Sequence, residues 1–160
     1  MTKPINVLFV CLGNICRSPS AQGVFEKVVA DAGLCDQIQV DSCGTTGFHS
    51  GSSPDPRAVS AAARRNITIG GLRAREFDVG DLKSFDYVLA MDTQNLLFVK
   101  EAWHLAGGTQ PELFLSYAAK NDVEEVPDPY YGGDQGFEKV LDLIDEASQG
   151  LLRHIRERHL

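Results

Sequence analysis

The sequence predicts an α/β fold: a central, four-stranded parallel sheet, doubly wound, with helices on both faces in three layers, carried by one domain over residues 1–160. Two observations lead there. The runs Val7-Leu8-Phe9-Val10 and Tyr87-Val88-Leu89-Ala90-Met91 are short and apolar throughout, the pattern of strands buried on both faces of a parallel sheet. Such runs alternate with stretches of helical periodicity, which calls for right-handed crossovers. In sheets of this kind ligands bind outside the carboxyl ends of the strands, where strand order reverses.

The first strand delivers Cys11 into a short polar loop. Ser18-Pro19 then reads as a helix start, with Ser18 as N-cap and Pro19 at the first helical position. Ala21, Val24, Phe25, Val28, Val29 and Ala32 give this helix an apolar face, and Gly33 ends it. Ile38 to Val40 is the second strand, opening into a loop from Asp41 to His49. Asp55-Pro56 starts a second helix with Val59, Ala62 and Ala63 on one face, and a short helix is expected near Val79 to Leu82. After the strand from Tyr87 to Met91, a helix opening near Asp92 carries Leu96, Val99 and Trp103. Glu112 to Leu115 forms the last strand, followed by an acidic, Pro- and Gly-containing loop over 121–134. Phe137, Val140, Leu141, Ile144, Leu151, Leu152 and Ile155 mark a long amphipathic C-terminal helix.

The formal net charge of -7 argues against a nucleic-acid partner. No apolar stretch approaches the ~18 residues of a membrane span, and the N-terminus lacks a signal-peptide profile. Cys11, Cys16, Cys35 and Cys43 are too few and too scattered for a secreted disulfide scaffold. A cytoplasmic protein without a membrane partner is expected, monomeric or weakly self-associating. The dispersed His49, His104, His154 and His159 suggest no metal site, and no nucleotide-binding glycine motif follows the first strand, so no cofactor is expected.

The segment Cys11-Leu12-Gly13-Asn14-Ile15-Cys16-Arg17-Ser18-Pro19 carries the chemistry. A loop between a strand end and a helix start turns backbone N–H groups and the helix dipole toward a bound anion. The same surroundings favour a thiolate, and Arg17 adds a planar fork of donors. A cation in a first helical turn is unfavourable by itself, so Arg17 needs an anionic partner, for which a bidentate phosphate is suited. Because the net charge repels anions, the attraction must be local. Gly13 is expected to supply a backbone geometry that other residues resist, and Asn14 to adopt a left-handed conformation and fix the loop through its amide.

On this run, its place near residue 10 and the late Asp128-Pro129-Tyr130-Tyr131, the chain resembles the low-molecular-weight protein tyrosine phosphatases over essentially its whole length. The resemblance implies a metal-independent phosphohydrolase. Cys11 is its nucleophile, Arg17 binds two phosphoryl oxygens, and the N–H groups from Leu12 to Ser18, through Gly13, Asn14, Ile15 and Cys16, hold the phosphate. It further implies that the Ser18 hydroxyl donates to the thiolate and that Ser42 supports Asn14. Asp128 acts as general acid and then as base for water. Residue chemistry by itself does not choose Asp128 over Asp122, Glu124, Glu125 or Asp134, although Pro129 biases Asp128 toward an extended backbone. Tyr130 and Tyr131 form one wall of the cleft and Phe48 the other, so that the substrate is a phosphotyrosine-containing protein or peptide. Cys16 reads equally well as a packed residue or as a thiol that traps oxidised Cys11.

Relatives commonly carry Glu at the position of Gln22 and His near Leu72, which leaves open how the loop is braced here. A phosphoarginine phosphatase is the nearest alternative, but such enzymes carry threonine where Ile15 stands. Thioredoxin-linked arsenate reductases need further cysteines, and none follows Cys43. A non-catalytic anion-binding module has no use for Cys11, and zinc held by Cys11, Cys16, Cys43 and His49 fits the spacing less well.

Overall fold

The computed structural model describes residues 3–118, 122–130 and 133–160. In chain order these form β1 (Ile5–Cys11), α1 (Arg17–Asp31), β2 (Ile38–Gly44), α2 (Pro56–Ala63), α3 (Asp81–Ser84), β3 (Tyr87–Ala90), α4 (Thr93–Ala106), β4 (Glu112–Leu113), a 3-10 turn (Phe114–Tyr117) and α5 (Asp134–His159). The four strands make one sheet in the order β2-β1-β3-β4, and every pairing is parallel. β1 is therefore central, with Val7 opposite Val40 on one side and Tyr87 on the other. Strand order reverses on either side of β1, which places the end of that strand at the ligand-binding edge.

Alternation along β1 divides the interior into two cores. Val7, Phe9 and Cys11 join the larger one, built with residues of α1, α2 and α5. Leu8 and Val10 join a smaller one with Cys43, Leu82, Val88 and Val99. Successive strand side chains point to opposite faces, so an apolar run without polar interruptions requires cover on both. Phe9 anchors the larger core edge-on between Phe25 and Phe114, with ring centroids 5.9 and 4.8 Å away. No helix among the described residues is long and apolar enough to cross a membrane.

Several boundaries differ from the sequence expectation. α1 begins at Arg17, with Cys16 at the N-cap and no side-chain cap, so Ser18 is not the cap and lies inside the helix. Pro19 still falls in the first turn, where a missing N–H forfeits no intrahelical bond. β2 runs on to Gly44 because β1 pairs with it residue by residue as far as Cys11 opposite Gly44. The buried face of α2 is formed by Ala58, Ala61 and Ala62 rather than by Ala63, which is exposed. β4 stops at Leu113, since Phe114 and Leu115 turn into the core on the 3-10 segment.

Phe9 is fully buried, and truncating it leaves two aromatic faces without a partner. Phe9→Ala is expected to cost about 3–5 kcal/mol of stability, measured by urea unfolding.

Candidate active site

Cys11 ends β1 and Arg17 opens α1, so the intervening residues must turn over the carboxyl edge of the sheet. Asn14 makes that turn with a φ of 58°. Its left-handed backbone is as expected for an asparagine. Gly13 is not the residue with positive φ. Its constraint is spatial, because a β-carbon there would lie 3.0 Å from Cδ2 of the His49 ring. Gly44 matters more than the sequence suggested. A β-carbon on it would meet the Leu12 carbonyl oxygen at 2.8 Å and the Asn14 nitrogen at 3.1 Å, so the loop rests directly on the end of β2.

The loop closes around the Cys11 sulfur, which is almost fully buried. Asn14 N–H donates to Sγ at 3.3 Å, and Sγ lies 2.9 Å from the Ser18 hydroxyl. Behind it runs a polar relay. Asn14 Nδ2 donates to Ser18 Oγ at 2.8 Å and Ser42 Oγ at 3.1 Å, and Ser42 in turn donates to Gln22 Oε1 at 2.7 Å. Gln22 thus takes the bracing position, its amide oxygen serving as acceptor. The other side of Asn14 is held by a backbone group, since Arg75 N–H donates to Asn14 Oδ1 at 3.0 Å. Leu72 packs against the larger core instead. Arg75 is itself fixed through its guanidinium to Asp41 and Asp81, which accounts for Asp41.

Arg17 is only 3% exposed, so its charge is compensated within the protein. Nη1 donates to Asp92 Oδ2 at 2.6 Å and to the Val126 carbonyl at 3.1 Å, and Nη2 lies 3.7 Å from Asp128 Oδ2. Burial opposes the charged form, but the Cys11 sulfur and the bond to Asp92 outweigh it and push the guanidinium above its ordinary range. Asp92 caps α4 through Asn95 N–H and comes two residues after the end of β3, at the same sheet edge as Cys11. In the sequence it marks only a helix start, although an acid just beyond a central strand is a signal for a partner to Arg17. Asp128 is partly exposed, and its Oδ1 accepts the Tyr130 N–H at 3.0 Å.

Cys11, Leu12, Gly13, Ile15, Cys16, Arg17, Phe48, Asp128 and Tyr130 line one cavity of about 480 Å³, together with Thr46 and His49. Phe48 projects from the rim at 87% exposure, its ring edge-on to His49 at 4.9 Å. In the sequence His49 stands out only as a conceivable zinc ligand. It belongs to the cavity wall, and among the described residues no group of histidine, cysteine and acidic side chains is placed to hold a metal. Asn14, Ser18 and Ser42 stand behind the loop rather than in the cavity lining. Tyr131 lies outside the described residues.

The family model of the low molecular weight phosphotyrosine protein phosphatases matches residues 6–159. The chain belongs to that family. A low molecular weight phosphotyrosine protein phosphatase of Schizosaccharomyces pombe is 42% identical over 156 residues, covering 97% of this chain and 99% of the relative. The crystal structure of YfkJ from Bacillus subtilis superposes with a TM-score of 0.93 at 37% identity, covering 99% of each chain. The Drosophila arginine phosphatase DARP superposes with a TM-score of 0.88 at 30% identity, covering 94% of this chain and 97% of its own.

The second cysteine of this loop is held as a neutral thiol. Cys16 is buried, and its thiol is pushed up to about 12 by that burial and then by the negative charges of Asp55, Cys11 and Asp128. The neutral thiol therefore persists through neutral and mildly alkaline pH, and ionisation begins only as pH climbs toward that value. Burial likewise raises the Cys43 thiol. Alkylation of the native protein with iodoacetamide at pH 8 is expected to modify the exposed Cys35 while sparing Cys16 and Cys43, which become reactive on unfolding; peptide mass spectrometry reads the difference.

Proposed function

We propose that the protein hydrolyses phosphotyrosine in proteins or peptides through a phosphocysteine formed on Cys11. The observation that carries this reading is the convergence of the Cys11 sulfur, the Arg17 guanidinium and the Asp128 carboxyl on one cavity. In the first step Cys11 attacks phosphorus in line, the sulfur–phosphorus bond forms, and the bond to the aryl oxygen breaks. Asp128 gives its proton to that oxygen. In the second step the Asp128 carboxylate takes a proton from water, which cleaves the phosphocysteine and releases inorganic phosphate and the thiolate.

Arg17 and the loop N–H groups stabilise the equatorial oxygens, with the arginine plane held by Asp92 and Val126. The nearby Asn14 N–H and Ser18 hydroxyl stabilise a sulfur anion. A phenyl ring enters between Phe48 and Tyr130, whereas the shorter phosphoserine does not carry its phosphorus down to a buried sulfur. Ile15 offers an aliphatic wall, which suits a phenyl ring better than a guanidinium. In this reading the fold acts as a single cytoplasmic domain, in a reducing compartment that keeps Cys11 free.

Cys11→Ser is expected to abolish turnover of aryl phosphates while retaining phosphate-ester binding, and the wild-type activity is expected to persist with a chelator present. Asp128→Ala should cost about 10²–10⁴ in kcat/KM with phenyl phosphate, and less as the leaving group becomes more acidic. An equal loss across a leaving-group series would make Asp128 a structural residue. Turnover of phosphoarginine as fast as phosphotyrosine would replace the substrate assignment.

Cys16 completes the reading as a redox partner. Peroxide oxidises the Cys11 thiolate to a sulfenic acid; the Cys16 thiol then attacks that sulfur, its proton passing to the departing hydroxyl, so that the disulfide forms and water is released. Oxidation also removes the Cys11 charge, one of those that keep Cys16 protonated. Mild peroxide should give an inactive protein that dithiothreitol restores, while Cys16→Ser loses activity irreversibly. Mass spectrometry that finds overoxidised Cys11 beside an intact Cys16 thiol rejects this role.

A further inference from the structure

The loop that carries Asp128 has no regular secondary structure between Val126 and Tyr130, so its backbone must be held from outside. On the upstream side Val126 N–H donates to the Met91 carbonyl at 2.8 Å, and the Val126 carbonyl accepts from Arg17. On the downstream side the Tyr130 carbonyl accepts from Arg57 Nη2 at 2.8 Å. Asp128 stands between these two anchors, and the Tyr130 N–H that orients its Oδ1 belongs to the residue whose carbonyl Arg57 holds.

Arg57 is unusually well fixed for a side chain at the start of a surface helix. Asp55 grips its guanidinium twice, from Nε at 3.1 Å and from Nη2 at 2.9 Å, and caps α2 through the Arg57 N–H at 2.9 Å. The guanidinium carbon also lies over the rings of Tyr130 and Phe137, 5.6 and 5.0 Å from their centroids. Asp55 N–H in turn donates to the Ile15 carbonyl at 2.8 Å. One chain of contacts therefore runs from the Cys11 loop through Asp55 and Arg57 to Tyr130 and so to Asp128.

We infer that Arg57 is a positioning residue for the proton-transfer step, holding the Asp128 loop in register with the phosphate-binding loop. It does not touch the reacting atoms. Without it the Tyr130 carbonyl loses a charge-assisted bond and its ring a stacked cation, which weakens the downstream hold on the Asp128 loop. Displacement of a catalytic group by about an ångström can cost on the order of 10²-fold. The inference rests on the assignment of Asp128 as general acid, and the test separates the two.

Arg57→Ala is made alone and together with Asp128→Ala, and kcat/KM is measured with phenyl phosphate and with the more acidic nitrophenyl phosphate. The single variant should lose about 10- to 100-fold with phenyl phosphate and clearly less with nitrophenyl phosphate. In the Asp128→Ala background the same substitution should cost less than about threefold, because the group it positions is gone. Arg57→Lys retains a charge but not the fork, and should recover part of the loss with the same leaving-group pattern. It also serves as the reporting variant if thermal melting shows Arg57→Ala to be unfolded. Losses that multiply in the double variant, or that are equal for both leaving groups, overturn the positioning role and leave Asp128 as the acid. An Asp128→Ala loss that is itself independent of the leaving group removes the acid assignment, and the role of Arg57 with it.

Discussion

The buried Arg17 charge is the constraint around which the cavity is organised. A guanidinium in the first turn of a helix meets the positive end of the helix dipole, and burial removes the water that would otherwise solvate it. Asp92 supplies the main counter-charge at 2.6 Å, which ties the start of α1 to the end of β3 across the sheet edge. Val126 supplies a carbonyl, which ties the same arginine to the Asp128 loop. The cation that lines the cavity thereby also joins three segments far apart in the chain.

A second set of bonds fixes the loop from behind. Asn14 occupies a left-handed turn and uses both ends of its amide, donating to Ser18 and Ser42 and accepting from Arg75 N–H. Each partner is anchored in turn, Ser42 by Gln22 and Arg75 by Asp41 and Asp81. Buried polar groups stabilise a single geometry when they are satisfied in this connected way. The donors around the Cys11 sulfur are therefore fixed by the fold itself, which is the kind of preorganisation that electrostatic stabilisation of a transition state requires.

The mouth of the cavity is built on a different principle. Phe48 and Leu12 are exposed apolar side chains, Tyr130 stands opposite on the Asp128 loop, and His49 packs over Gly13. A deep pocket floored by Cys11 and Arg17 beneath an aromatic rim suits the proposed aryl phosphate by depth and by ring contact together. In the proposed reaction this division reconciles an anionic substrate with a formal net charge of -7, since Arg17 and the loop N–H groups act at short range.

The strand–loop–helix run from Val7 to Pro19, the alternation of strands with helices and the long C-terminal helix were legible in the sequence, because they rest on local periodicity and on residue types whose chemistry is specific at that spacing. Family resemblance, rather than local pattern, singled out Asp128 among many carboxylates. The helix start at Arg17, the extension of β2 to Gly44 and the brevity of β4 were not legible, since each depends on what pairs or packs across the sheet. The same holds for Asp92 beneath Arg17, for Arg75 behind Asn14, for His49 in the wall and for Arg57 at the Tyr130 carbonyl. Each is an ordinary polar residue in its own segment and gains its role only from a neighbour 36 or more positions away. Sequence by itself determined the layered architecture and the strand–loop–helix run that carries Cys11 and Arg17, through short-range pattern. Tertiary structure alone decided which charges compensate one another, because burial makes an unpaired charge or donor costly and the fold chooses the partner that space allows.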